Sequence, residues 1–136
     1  MNIFLDACAI IYNIEAKEPF HWKVQGILSK IINENQEVCI TVSRLSIIEC
    51  LVQPLRQQQT FIIEQYRSFF ASQDLQIIEL TAELMEKALW LRVNYNLRTP
   101  NALQAASALK LAPMGMTFLT GDKAFKKVPD LNTVIL

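Results

Sequence analysis

The run Asn2-Ile3-Phe4-Leu5-Asp6-Ala7-Cys8-Ala9-Ile10-Ile11-Tyr12 places a short apolar stretch directly before a polar stop and a second, longer apolar stretch. Residues 2–5 read as a strand buried on both faces, and the stretch at about 8–15 reads as a helix. The same alternation recurs along the chain. Further strands are expected at 38–41, 75–79, 116–119 and 133–135. Helices are expected at 20–34, 43–54, 57–72, 81–95 and 100–111, with the long segment from 43 to 72 divided near Pro54. Ser43 and Thr81 are suited to cap helix N-termini, and Thr99-Pro100 puts proline at a first helical position. Leu84, Ala88, Leu91 and Tyr95 recur on one side of 81–95, and Arg98-Thr99 breaks the pattern. Ala102, Ala105, Ala106 and Leu109 give 100–111 a side of mostly small residues that can approach a sheet closely. Strands separated by helices need crossover connections, so the fold class is α/β: a mainly parallel sheet between helical layers.

Composition sets the frame for that fold. The chain has 136 residues, 51% of them hydrophobic and 19% charged, which suits one domain over 1–136 with a well-filled core and argues against disorder. No apolar run approaches the roughly 20 residues that span a bilayer, and the start carries no basic stretch before an apolar one. A cytoplasmic protein without a membrane partner is the expectation. Cys8, Cys39 and Cys50 are odd in number and lack zinc or redox spacing, so they read as small buried hydrophobes. Thirteen basic residues balance thirteen acidic ones, so a nucleic-acid partner would have to be held by a local patch.

Four polar positions stand where apolar runs stop or helices begin: Asp6, Glu49, Asn101 and Asp122. In a parallel α/β sheet, ligands bind outside the carboxyl ends of the strands, near the point where strand order reverses. Each position also has a plain structural reading. Asp6 can cap the first helix, Glu49 can sit on a solvated stripe with Ser46 and Gln53, and Asp122 can serve a turn or cap Lys123-Ala124-Phe125. Asn101 stands near a helix N-terminus, where an acid would be favoured.

Taken together, the four stretches resemble the PIN-domain ribonucleases, most closely the VapC-type toxins of bacterial toxin–antitoxin pairs. They are Phe4 to Tyr12, Ser46-Ile47-Ile48-Glu49-Cys50, Leu97 to Ala106 with Arg98-Thr99-Pro100-Asn101, and Phe118-Leu119-Thr120-Gly121-Asp122-Lys123-Ala124-Phe125. They occur in the family's order and span almost the whole chain. The resemblance implies a three-layer α/β/α fold and an endoribonuclease that hydrolyses RNA phosphodiesters with Mg²⁺ or Mn²⁺. It implies that Asp6, Glu49, Asn101 and Asp122 form the metal and catalytic set, with Glu49 a ligand or a water-positioning base and Thr120 a hydroxyl that orients one of them. It also implies an RNA substrate, a protein antitoxin and a homodimer. Arg98 and Lys123, with Lys126 and Lys127, are candidates to meet phosphates. His21, the only histidine, is poorly placed for a metal role.

The sequence departs from the family pattern at two places. Asn101 stands where the family usually has Asp, and Gln104 where it often has His. An amide in place of the carboxylate removes one negative charge, worth about 4 kcal/mol against a nearby unit charge at a surface-like dielectric, before solvent absorbs part of it. An intact fold with impaired chemistry is therefore expected. Two other readings share the pocket: an inactive PIN-like scaffold that binds antitoxin or RNA, and an RNA-processing nuclease outside toxin–antitoxin systems.

Overall fold

A computed structural model describes residues 1–136. The elements alternate as β1 (Asn2–Leu5), α1 (Ala7–Ile14), α2 (Phe20–Glu34), β2 (Cys39–Ser43), α3 (Leu45–Arg56), α4 (Thr60–Phe70), β3 (Leu75–Ile78), α5 (Ala82–Tyr95), α6 (Thr99–Leu109), β4 (Met116–Thr120) and β5 (Thr133–Ile135). Short 3-10 turns cover Ala112–Met114 and Lys123–Lys127. The five strands form one sheet in the order β3-β2-β1-β4-β5, and every pairing is parallel. Because β2 and β3 lie to one side of β1 and β4 and β5 to the other, strand order reverses between β1 and β4. That is the sheet's switch point.

Side-chain alternation along the central strands divides the core into two layers. Phe4 points to one face, where it stacks on Phe118, its register partner, with ring centroids 5.4 Å apart. Leu84 and Leu91 of α5 and Ala102, Ala105 and Ala106 of α6 complete that layer. Ile3 and Leu5 point to the other face, with Val42, Leu119, Ile10 of α1, and Cys50 and Leu51 of α3. Apolar strands covered on both sides are what a parallel sheet requires, and the α/β/α expectation holds. No helix is long and apolar enough to cross a membrane.

Local signals hold with some shifts. Thr81 caps α5 by accepting from the Leu84 N–H at 3.2 Å. Asp6 caps α1 by accepting from the Ala9 N–H at 3.0 Å. Ser43 instead ends β2, although its hydroxyl still accepts from the Leu45 N–H at 3.2 Å. The 43–72 segment divides near Pro54 as expected, although α3 runs through the proline to Arg56. The break comes at Gln57–Gln59, where Gln58 takes a left-handed φ of 54° that a helix cannot continue. The helix α5 ends at Tyr95, as the 81–95 reading expects, with left-handed Asn96 as its C-cap. The helix α6 does not keep to one small-residue face, since Ala102 to Ala108 are all buried. It is wedged between α5, the sheet and α3. Of the cysteines only Cys50 is fully buried; Cys8 and Cys39 are half-exposed, and all are free thiols.

The two-layer core predicts a sharp contrast between phenylalanines. Phe118→Ala should cost about 3–5 kcal/mol in urea denaturation, because it opens a cavity at the centre of the sheet. Phe61→Ala, at a residue 71% exposed on α4, should change stability by less than about 0.5 kcal/mol.

Candidate active site

The carboxyl ends of β1 and β4 bring the first and last of the four positions to one edge. The Asp6 N–H donates to the Leu119 carbonyl at 3.2 Å, carrying the β1–β4 ladder one residue past β1. Thr120, the last residue of β4, donates its hydroxyl to Asp6 Oδ2 and accepts from the Asp122 N–H at 3.0 Å. One buried hydroxyl therefore ties the two acidic turns together. Asp122 Oδ1 accepts from the Ala124 N–H at 2.9 Å and caps the 3-10 turn. Its other oxygen, Oδ2, accepts from the Asn101 amide at 3.0 Å. Glu49, exposed on α3, is reached from α6: Gln104 Nε2 donates to its Oε1 at 2.9 Å and to Ser46 Oγ at 2.9 Å.

Structural and site roles thus coincide on the same carboxylates. Asp6 and Asp122 each use one oxygen as a helix cap and turn the other to a neighbour across the sheet edge. A carboxylate offers two oxygens and about four lone pairs, so a cap does not exhaust it. Asn101 contacts Asp122 directly, and Asp6 feels the charges of both Glu49 and Asp122.

The electrostatics follow from that crowding. Burial is the main reason the Asp6 carboxyl is pushed up to about 7; its bonds from Thr120 and the Ala9 N–H oppose the rise, and repulsion from Glu49 and Asp122 adds to it. Burial, followed by the charges of Asp6 and Asp122, also raises the Cys8 thiol to about 11. Tyr12 titrates above its ordinary value because of burial and then the neighbouring Cys8 and Asp6. Cys8 and Tyr12 therefore line the same corner. Gly121 is glycine for a steric reason here: a Cβ on it would stand 2.7 Å from the Tyr12 hydroxyl.

Carboxylate and amide oxygens are hard donors of the kind Mg²⁺ and Mn²⁺ take, so the residues fit such an ion in kind. They fall short in number and charge. No group of three or more His, Cys, Asp or Glu side chains is arranged to hold a metal ion. Asn101 presents an N–H to Asp122 Oδ2, so it adds a donor and no negative charge to the corner.

Arg98 precedes α6 and Lys123 opens the 3-10 turn after Asp122; both are exposed. His21 sits on α2 with its Nδ1 3.1 Å from the Asn13 carbonyl. Two contributors escape a reading of the acids alone. Gln104 is already marked in the sequence as a polar side chain among Ala102, Leu103, Ala105 and Ala106 and as one of the two departures, and Tyr12 ends the first quoted stretch, but nothing in the sequence links them to Glu49 or Gly121.

Comparison with known proteins matches residues 3–131 to the PIN domain family model. Among solved structures, the VapBC2 complex of Rickettsia felis bound to promoter DNA contains a chain 17% identical, with a TM-score of 0.73 over 100% of this chain and 99% of that one. The sarcin–ricin-loop-cleaving toxin VapC20 of Mycobacterium tuberculosis is 15% identical, with a TM-score of 0.74 over 96% and 97%. A toxin–antitoxin complex from Klebsiella pneumoniae is 19% identical, with a TM-score of 0.69 over 97% and 95%. At these identities the likeness is one of fold. Comparison with curated proteins gave no match.

The Asp6 environment makes a pH prediction. The unfolded carboxyl ionises near its ordinary 3.8 and the folded one near 7. Between those values the folded state holds a proton that the unfolded state has lost, so this group's contribution falls as pH rises, by on the order of 4 kcal/mol in all. In EDTA, the stability of Asp6→Asn relative to the parent should therefore grow by a few kcal/mol from about pH 4 to about pH 8. Urea denaturation at both ends of that range measures it.

Proposed function

The chain belongs to the PIN domain family, and from that premise we propose that it is a toxin-type endoribonuclease, dependent on Mg²⁺ or Mn²⁺ and impaired by Asn101. The observation that carries the proposal is the meeting of Asp6, Asp122 and Asn101 at the β1–β4 switch point, with Glu49 close enough to act on Asp6.

A divalent ion bound there would polarise the scissile phosphoryl group and lower the pKa of a bound water. Asp6 and Asp122 are the anchors, each with one oxygen fixed by a backbone N–H so that the other faces the site in a set direction. Thr120 holds Asp6 from the side and keeps it in register with the Asp122 turn. Glu49, exposed and with Oε2 unengaged, is the group able to position an attacking water or take its proton. Exposed Arg98 and Lys123, close in sequence to Asn101 and Asp122, are the proposed contacts to RNA phosphates.

Asn101 weakens this chemistry in two ways. It withholds one negative charge, and its amide proton occupies the Asp122 oxygen that an ion would need. The metal-free pocket is thereby satisfied by its own hydrogen bonds. The same observation favours a second reading, a PIN scaffold that keeps its binding surfaces without cleaving. Exposed Ile48, Val52 and Leu55 on α3, next to Glu49, and exposed Met85, Leu89, Trp90 and Val93 on α5 support partner surfaces under either reading. An antitoxin and a second copy of the chain are the proposed occupants, within a cytoplasmic toxin–antitoxin pair.

Asn101→Asp separates the two readings. It should strengthen Mn²⁺ binding by at least about tenfold and raise Mn²⁺-dependent cleavage of RNA above that of the parent, and Asp6→Asn in the same chain should abolish the cleavage. If the Asp form folds, binds Mn²⁺ and remains as inert as the parent, the nuclease reading fails and the scaffold stands.

A further inference from the structure

Gln104 is 2% exposed and lies in the most buried helix of the protein. Both of its amide hydrogens are committed on one side, to Ser46 Oγ and to Glu49 Oε1, each at 2.9 Å. Its carbonyl oxygen, Oε1, is buried with no hydrogen-bond partner. Leaving a buried carbonyl unpaired is unfavourable; what keeps the amide this way round is the Glu49 carboxylate, which can only accept, whereas the Ser46 hydroxyl can accept or donate. Rotating the amide by half a turn would let the carbonyl accept from the Ser46 hydroxyl, but at a cost on the Glu49 side. It would aim the carbonyl at the Glu49 carboxylate, oxygen against oxygen, and leave that carboxylate without a donor.

A second buried polar pair lies one helical turn from the amide. Ser107, one turn further along α6, donates to the Leu103 carbonyl at 2.8 Å and shares a 3.0 Å hydrogen bond with Ser43 Oγ at the end of β2. Ser43, Ser46 and Ser107 are fully buried. A short polar seam therefore runs from β2 and α3 to α6, where the two helical layers meet around the carboxyl edge of the sheet. Glu49 is the only member of the seam that reaches solvent. It is also the acid with the longest side chain, standing on an exposed stretch of α3 with no other protein hydrogen bond to restrain it.

We propose that Gln104 is a positioning residue: its buried amide, bonded also to Ser46, holds the exposed Glu49 carboxylate on the side of Asp6. The inference rests on the nuclease reading for its consequence, and on the hydrogen-bond geometry alone for its existence.

The test is a double-substitution cycle with two readouts. In EDTA, melting temperatures are taken for the parent chain, Gln104→Leu, Glu49→Ala and the double variant. The shift caused by Gln104→Leu should differ by about 3 °C depending on whether Glu49 is present. Equal shifts in both chains would overturn the inference, because packing alone would then account for Gln104. In the Asn101→Asp chain, calorimetric titration with Mn²⁺ should show binding weakened about tenfold by Gln104→Leu and largely restored by Gln104→His. Unchanged affinity in the Leu variant would also overturn it. If the Asn101→Asp chain itself binds no Mn²⁺, the nuclease reading fails, and the melting cycle still decides whether Gln104 holds Glu49.

Discussion

The pairing of β1 with β4 is the constraint on which the site depends. Those strands are separated by most of the chain, yet their parallel register sets Leu5 opposite Leu119 and leaves Asp6 and Thr120 side by side where the ladder ends. The Thr120 hydroxyl then bridges both acidic turns. The pairing is held from within by the Phe4–Phe118 stack and the apolar layers on either face. Two carboxylates of the same sign are thus kept close by a hydrophobic core that does not depend on their charge. Burial of Asp6 pushes its carboxyl up to about 7, and the nearby charges of Glu49 and Asp122 add to that rise.

Around this fixed pair the pocket satisfies itself. Backbone N–H groups take one oxygen of Asp6 and one of Asp122, Thr120 and Asn101 take the others, and Gln104 takes one oxygen of Glu49. Capping and site-building are one arrangement here. An acid at position 101 would turn the Asn101–Asp122 hydrogen bond into a repulsion that a cation could relieve, so the amide exchanges affinity for an ion against stability without one.

Much of the architecture was legible because it rests on local rules. The strands at 75–79 and 133–135, the helix at 20–34, and the caps at Asp6 and Thr81 depend on neighbours within a few residues. The misreadings have tertiary causes. The division expected near Pro54 falls just after it, on Gln58, because the buried proline stays inside α3. The helix α6 looked one-sided from its alanines but is enclosed by three neighbours. Gln104 carried a visible sign, polarity in an alanine-rich helix, yet its partners Ser46 and Glu49 stand 58 and 55 residues away. No spacing rule links them, because they meet only where two helical layers close over the end of the sheet.

The central claim is that Asp6, Glu49, Asn101 and Asp122 form one cation site with a neutral corner. The most direct measurement is a crystal structure of the Asn101→Asp chain soaked in Mn²⁺, with the anomalous signal locating the ion. The account predicts Mn²⁺ at the end of β1 and β4, touching Asp6 and Asp122, with weaker or no occupancy in the parent chain. An ion bound elsewhere, or equal occupancy in both chains, would contradict it.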